Sequence, residues 1–593
     1  MKKASLAKKK FNSLLFAATL TMAVTYLMLL SDTLIVGNIV GEKGISAINI
    51  VMPVYSASNF IAGLIGMGMA YSYCRAIGEF QNEKASKLFS QGVFLALVSG
   101  ILMFALMFVI KEPYLEYMNV SDEIRAEVDA YWQYEKFVVL FVPINYLMIE
   151  MIYCDGDGLL SITSNAIMVV GNIAQSVFLC LKLGTSGASL GTAIGMFLAT
   201  ATLCLHFFRK SNTLHFKWHF SIKDIVEMNR LALTDAVTYM CWSVLGIILN
   251  KLVISGYGES YLVVLTVVMG VFEFSLVFDG IGEAVSPLGE VYLGEKNYKS
   301  QKDLLGHALK VCIAEGVAVM AILLVAAPLV PKMFDITNAD LLDECVAAVR
   351  ILAFVMPFSA VAYLLTSQYL LVRKIALSVA FTVAQALLFD ALFALLFSHF
   401  FGINGIWVGL VIAPPVAIAV VLLYIRLRYG KKKIPWLLDD NEFPTLNRSF
   451  VMTTEEIIAT RVAAEKFLIE NGVEGKTVKR VMLLIEEFGI ATVAENEGKK
   501  IIAEYSVTVC KDSVQLTLRD SGKIYNLTSA DIDIKDISSY VISSIMSKYE
   551  KSVKYLTTIS FNRSMLVIPR ANGEEGRSEA YLPISQKNSG NRG

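Results

Sequence analysis

The sequence predicts an all-α polytopic membrane protein, twelve transmembrane helices in two six-helix lobes, followed by a small soluble α+β domain at the C-terminus. Three observations predict it: long apolar runs through most of the first 430 residues, basic residues gathered between alternate runs, and a switch to shorter mixed periodicities after Lys433. A mean hydropathy of +0.58, with 55% hydrophobic and 18% charged residues, leaves too little polar surface to cover a soluble protein of 593 residues. The net charge of zero gives no reason to expect a nucleic-acid partner.

A hydrocarbon core about 30 Å thick takes about 20 apolar residues per helix. Such segments begin near Phe11, Ile45, Leu88, Phe137, Ile162 and Gly187, then near Ala232, Tyr261, Ala308, Ala347, Leu377 and Gly405. The lysines before Phe11 suggest a secretory signal, yet the run 11–40 is long and closes on no small-residue cleavage site, so it reads as the first span. With that end inside, the inner segments hold Lys2, Lys3, Lys8, Lys9, Lys10, Arg75, Lys84, Lys87, Arg209, Lys210, Lys217, Lys223, Lys296, Lys299, Lys302, Arg373, Lys374, Arg426, Arg428, Lys431, Lys432 and Lys433. The outer ones hold little beyond Lys43, Lys111, Arg125 and Lys332. Basic residues gather on the cytoplasmic side of a membrane, so both termini are expected in the cytoplasm, with the chain multi-pass in a bacterial inner (plasma) membrane among its lipids. The eight cysteines are scattered without a CxxC pair or a histidine at zinc-ligand spacing, so no metal site and no required cofactor is expected.

The two halves resemble each other. Gly184-Thr185-Ser186-Gly187 with Gly191 matches Gly402-Ile403-Asn404-Gly405 with Gly409 at an offset of 218. Val142-Pro143 matches Met356-Pro357, and Gly78-Glu79 matches Gly294-Glu295, at offsets of 214 and 216. Agreement on nearly one period predicts a parallel duplication of six spans plus six, the usual way to build two lobes about a central site. The expected division is a first lobe over 1–218, a second over 219–432, a linker over 433–450, a cytoplasmic domain over 451–570 and a disordered tail over 571–593.

Ser31-Asp32-Thr33-Leu34-Ile35-Val36-Gly37, followed by Gly41 and Ile45-Ser46-Ala47, resembles the first helix and loop of the multidrug and toxic compound extrusion (MATE) family. Gly63-Leu64-Ile65-Gly66-Met67-Gly68, running to Arg75 and Gly78, is similar to the family's glycine-rich second helix, and Gly187-Ala188-Ser189-Leu190-Gly191-Thr192 to its sixth-helix signature. The resemblance covers about residues 11–430. It implies a secondary transporter rather than an enzyme: a V-shaped pair of lobes that exports small organic, often cationic, compounds in exchange for Na⁺ or H⁺. Two other readings remain open, a flippase for a lipid-linked or polar metabolite and a membrane sensor signalling through the C-terminal domain.

Ionisable groups inside spans are costly and so point to function. Asp32 lies late in the first span, Asp235 early in the seventh, Glu273 and Asp279 in the eighth, Glu315 in the ninth and Asp390 mid-span in the eleventh. The resemblance implies ion coupling at Asp32 with Asn172 and Thr192, while Ser176 stands where the family carries a second acid. Carried across by 218 residues, Asn172 falls on Asp390, which the duplication therefore marks as a second coupling candidate. Asp235, Glu273 and Asp279 are candidate cavity acids, although six residues separate the last two and put them on different helix faces. Glu150, Asp155 and Asp157 read as solvated loop charges, and Pro414-Pro415, lacking two N–H groups, as a disturbance of the twelfth helix.

After the linker, 455–470 and 476–494 have helical periodicity, 500–509, 514–518, 553–559 and 564–568 read as strands, and 537–548 as a helix. This order, with Glu486-Glu487 on a helix and Arg519-Asp520-Ser521-Gly522 after a strand, resembles the histidine-kinase-type ATPase fold, particularly its anti-sigma-factor kinase branch. The resemblance implies nucleotide contacts at Glu487, Asp520 and Gly522. Ala491 replaces the family's Mg²⁺-holding asparagine, and Asp536-Ile537-Ser538-Ser539-Tyr540 replaces its glycine-rich lid. A degenerate, non-catalytic domain that regulates or receives a cytoplasmic regulatory protein is expected in place of a working ATPase.

Overall fold

The computed structural model describes residues 6–78, 82–155, 157–209, 214–295, 297–334, 338–439, 443–496, 498–522, 553–557 and 562–570, with the single residues 212 and 336. Two compact units emerge. One is Leu15–Ser286 with Gly306–Leu437, and the other joins Met1–Leu14, Pro287–Leu305 and Leu438–Gly593.

The helices are α1 (Leu6–Ile39), α2 (Glu42–Gly78), α3 (Asn82–Met118), α4 (Asp122–Cys154), α5 (Gly158–Leu183), α6 (Thr185–Cys204), α7 (Ile222–Tyr257), α8 (Leu262–Glu273), α9 (Asp279–Gly294), α10 (Tyr298–Ala326), α11 (Val330–Met333), α12 (Ala339–Ala353), α13 (Met356–Leu371), α14 (Ile375–Val383), α15 (Phe389–Phe401) and α16 (Ile403–Tyr429). Among the described residues nine helical stretches are long and apolar enough to cross a membrane, ten if α12 and α13, bent by 46°, form one span. The α1 and α4 helices stand at the two remaining expected places without being among them. The protein is therefore a multi-pass helical membrane protein.

Several spans differ from the simple rods expected. Between Glu273 and Asp279 the chain tightens into a 3₁₀ stretch, Phe274–Phe278, so these acids flank a break. The eleventh span contains a π-helical turn, Ala384–Leu388, immediately before Asp390. Pro414 and Pro415, by contrast, lie inside an α16 that continues to Tyr429, so the expected disturbance is absent there. The fourth span begins at Asp122, well before the apolar stretch starting at Phe137, because its polar residues continue the same helix.

The duplication is visible in backbone geometry. Gly184 joins α5 to α6 at φ 64°, ψ −144°, and Gly402 joins α15 to α16 at φ 63°, ψ −147°, a left-handed turn that favours a residue without Cβ. A Cβ on Gly187 would strike the backbone of Leu179 and Cys180, and one on Gly405 that of Phe397 and Ser398. Gly191 likewise abuts Ser176, and Gly409 abuts Ala394. Each second-lobe partner lies 218 residues beyond its first-lobe equivalent. Small residues thus bring paired helices into backbone contact in both lobes.

The second unit holds an antiparallel five-stranded sheet of order β1-β2-β3-β5-β4: β1 (Thr445–Val451), β2 (Ile502–Val509), β3 (Ser513–Asp520), β4 (Val553–Thr557) and β5 (Asn562–Pro569). The first strand begins inside the stretch read as linker. Helices α17 (Thr454–Glu470) and α18 (Gly475–Glu495) cover one face, where alternate residues Tyr505, Val507, Leu516 and Leu518 pack with Ile457, Leu468, Ile485 and Phe488. The expected helix over 537–548, the residues 536–540 and the tail lie outside the described residues.

Replacing Gly405 by Val should lower stability by about 2 kcal/mol, because the added methyls overpack a helix–helix contact that has no room. Gly306→Ala, with nothing within 4 Å of the added carbon, is expected to leave the melting temperature of the purified protein unchanged.

Candidate functional site

The glycine contact between α5 and α6 positions a polar pocket around α1. Asp32 is 9% exposed, and its Oδ2 accepts a hydrogen bond of 2.6 Å from Thr192 Oγ1 and one of 3.4 Å from the Tyr131 hydroxyl. Its Oδ1 accepts from Ser176 Oγ at 3.4 Å. Asn172 Nδ2 donates to Thr192 Oγ1 at 2.6 Å, while Asn172 Oδ1 accepts from Ser31 at 3.3 Å. The expected trio of Asp32, Asn172 and Thr192 is therefore brought together. Neutral donors surround the carboxylate, and no basic side chain pairs with it among the described residues.

Sequence reading missed Ser31 and Tyr131 as members of this shell. It also missed Glu135, one turn beyond Tyr131 on α4 and 2% exposed, which fell before the expected start of the fourth span. The i, i+4, i+8 spacing of Glu127, Tyr131 and Glu135 was the available signal.

In the other lobe Asp390 is fully buried beside the π-helical turn. Among the described residues neither of its carboxyl oxygens has a hydrogen-bond partner, and Cys241 of α7 is an electrostatic neighbour. Helices α2 and α7 meet where Asn49 Nδ2 donates to Asn250 Oδ1 at 3.0 Å and Asn250 Nδ2 returns a bond to the Asn49 carbonyl at 3.1 Å. This pair lines a small cleft with Pro53, Trp242, Thr266 and Glu273. Glu273 thus reaches a cavity, whereas Asp279 starts α9 near Tyr363. The side chain of Asp235 lies outside the described residues.

The loop acids do not behave as solvated charges. Asp155 and Asp157 are 2% and 10% exposed and grip the fully buried His206, at 2.7 Å to Nε2 and 3.0 Å to Nδ1. Arg209 adds a bond of 2.6 Å to Asp157. Both ring nitrogens are thus engaged by carboxylate oxygens. This cluster ties the α4–α5 connection to the end of α6.

In the α+β unit, the nucleotide candidates are dispersed into local roles. Glu487 is half-buried on α18, and Ala491 packs in the core. Asp520 Oδ1 accepts from the Gly522 N–H at 2.8 Å, closing an Asx turn. The neighbouring Arg519 points to the sheet face away from α17 and α18, where it is fully buried. It donates to Glu504 at 2.8 Å, pairs with Glu295, and stacks at 5.0 Å over the ring of Tyr292. Asn297 and Ser300 bond to Asn447 on the same face, and the Leu6 N–H donates to Ser449. None of this was anticipated, although Glu295 is one of the repeat positions.

Residues 17–178 match the MatE family model. An inward-facing multidrug resistance MATE transporter of the MOP superfamily superimposes with a TM-score of 0.64 at 20% identity, over 69% of this chain and 96% of that one. The fold is that of the MATE transporters. An outward-facing MATE structure gives a TM-score of 0.60 at 20% identity, covering 72% and 98%, and a MOP superfamily transporter from Pyrococcus furiosus gives the same values. A curated relative, the multidrug export protein MepA of Staphylococcus saprophyticus, is 24% identical over 287 residues, which span 47% of this chain and 62% of that protein. The matched family is one of secondary transporters, not enzymes. Those solved chains are covered almost completely by about seven-tenths of this one, so part of this chain lies outside the shared fold.

His206→Phe should destabilise the protein by about 3 kcal/mol, because it removes the buried ring shared by Asp155 and Asp157, leaving Asp157 with Arg209 and Asp155 with the Tyr73 hydroxyl. Thermal unfolding of the purified protein checks this, and adding Asp155→Asn with Asp157→Asn should recover part of the loss.

Proposed function

We propose that this chain exports small organic, cationic compounds across the bacterial inner membrane in exchange for Na⁺ or H⁺, with Asp32 as the principal coupling acid. The observation that carries the reading is a buried carboxylate surrounded by hydroxyl and amide donors and lacking a fixed cation. Such a group is costly unless a mobile positive ion visits it, and the visit changes which lobe arrangement is favoured. Asn172 and Thr192 orient the carboxylate. Asp390, bare in its pocket, is the counterpart in the second lobe, and Glu273 supplies negative charge to the cleft where an organic cation would lie. The MATE fold and the likeness to a multidrug export protein support this direction.

The C-terminal domain is proposed as a regulatory module without ATPase activity. The polar sheet face that engages 287–305 through Arg519 supports that role, as does the loss of an oxygen donor at Ala491. Both termini are taken as cytoplasmic from the distribution of basic residues.

In cells expressing the full chain, Asp32→Asn is expected to abolish ethidium efflux driven by imposed Na⁺ or pH gradients while leaving expression unchanged. Unaltered efflux and ion dependence in that variant would remove the coupling assignment. Titration of the purified full chain with ATP and Mg²⁺ is expected to give no binding heat, and tight Mg²⁺-dependent binding would favour a sensor with a working nucleotide domain. Arg519→Ala should speed amide exchange across 287–305 by at least about tenfold, since a buried pair has lost one partner.

A further inference from the structure

We propose that Glu135 is the second carboxylate of the Asp32 site, supplied from α4 where Ser176 leaves α5 without an acid, so that two negative charges hold the coupling cation. The inference rests on the exporter reading and specifies the charge of its site.

Tyr131 and Glu135 are one helical turn apart and share a face of α4. The Tyr131 hydroxyl fixes that face against Asp32 at 3.4 Å. Glu135 is 2% exposed, and its Oε2 has no hydrogen-bond partner. The carboxylates of Glu135 and Asp32 are electrostatic neighbours, and the Tyr55 hydroxyl of α2 senses both. Tyr131 on α4 and Cys180 on α5 also face Asp32, and Glu127, a neighbour of Cys180, lies in turn near Lys43. Among the described residues no basic group is an electrostatic neighbour of Asp32 or of Glu135. Thr192, Ser176, Asn172 and Tyr131 orient Asp32 but bring no positive charge.

Two carboxylates in one low-dielectric pocket repel each other unless a cation or proton enters between them. The α4 face also continues outward from the pair: Glu127, two turns before Glu135, accepts a hydrogen bond from Thr185 at the start of α6. Glu127, Tyr131 and Glu135 thus form a row of oxygen-bearing side chains leading from the N-terminal end of α4 to Asp32.

The test is infrared difference spectroscopy of the purified full chain in lipid, titrated with H⁺ and separately with NaCl. Glu135→Gln and Asp32→Asn assign each carboxyl band by its loss. The expected result is that the Glu135 band responds to the same ion as the Asp32 band, and that its midpoint moves by about tenfold or more in ion concentration when Asp32 is Asn. A Glu135 band indifferent to both ions, or one titrating identically with and without Asp32, overturns the proposal. Should Glu135→Gln not assemble, Glu135→Asp makes the assignment, since it keeps the charge and displaces the band. Normal efflux by Asp32→Asn with the two bands still coupled in the unsubstituted chain removes the exporter reading and leaves the pair. A silent Glu135 beside an Asp32→Asn variant without efflux does the reverse.

Discussion

The helical unit is organised around one electrostatic constraint: a carboxylate held away from water with no permanent counter-charge. Hydroxyl and amide dipoles around Asp32 lower the cost of its charge without cancelling it. Asp390 meets the same constraint with no donors at all. The two lobes therefore solve one problem differently. One arranges hydroxyl and amide groups around its acid, and the other keeps its acid fully buried.

That arrangement depends on how closely neighbouring helices approach. Thr192 reaches Asn172 because Gly191 and Gly187 allow α6 to lie against the backbone of α5. The same small-residue steps recur in α16 against α15, but Leu410 stands where the repeat would place the counterpart of Thr192. The scaffold is repeated more faithfully than its polar lining, as expected when packing constrains both copies and chemistry only one.

What the sequence made legible follows from the range of each interaction. Hydropathy located the helical segments, and the offset of 218 located Gly184 and Gly402 before their identical turns were seen. Asp32, Asn172 and Thr192 were legible through the family resemblance alone, since the helices that carry them lie about 140 to 160 positions apart in the chain. His206 was not, since its partners lie about fifty positions back in the chain. Nor was Glu135, because a polar half-helix looks like a loop until the apolar stretch beyond it is known to continue the same α4. The first strand was read as linker for a similar reason: β1 gains its identity only from pairing with β2, more than fifty residues later. The prolines of α16 misled in the opposite sense, marking a break that came instead as a π-turn in the neighbouring span.

The sheet of the α+β domain alternates as any half-covered sheet does, yet its second face is sealed by residues from the α9–α10 connection rather than by water. Arg519 there answers to both Glu504 of its own domain and Glu295 at the end of α9. Thermodynamic reciprocity then applies: whatever binds the domain more tightly in this clasped form steadies the helix ends by the same free energy, and any rearrangement that strains those ends weakens that binding in equal measure.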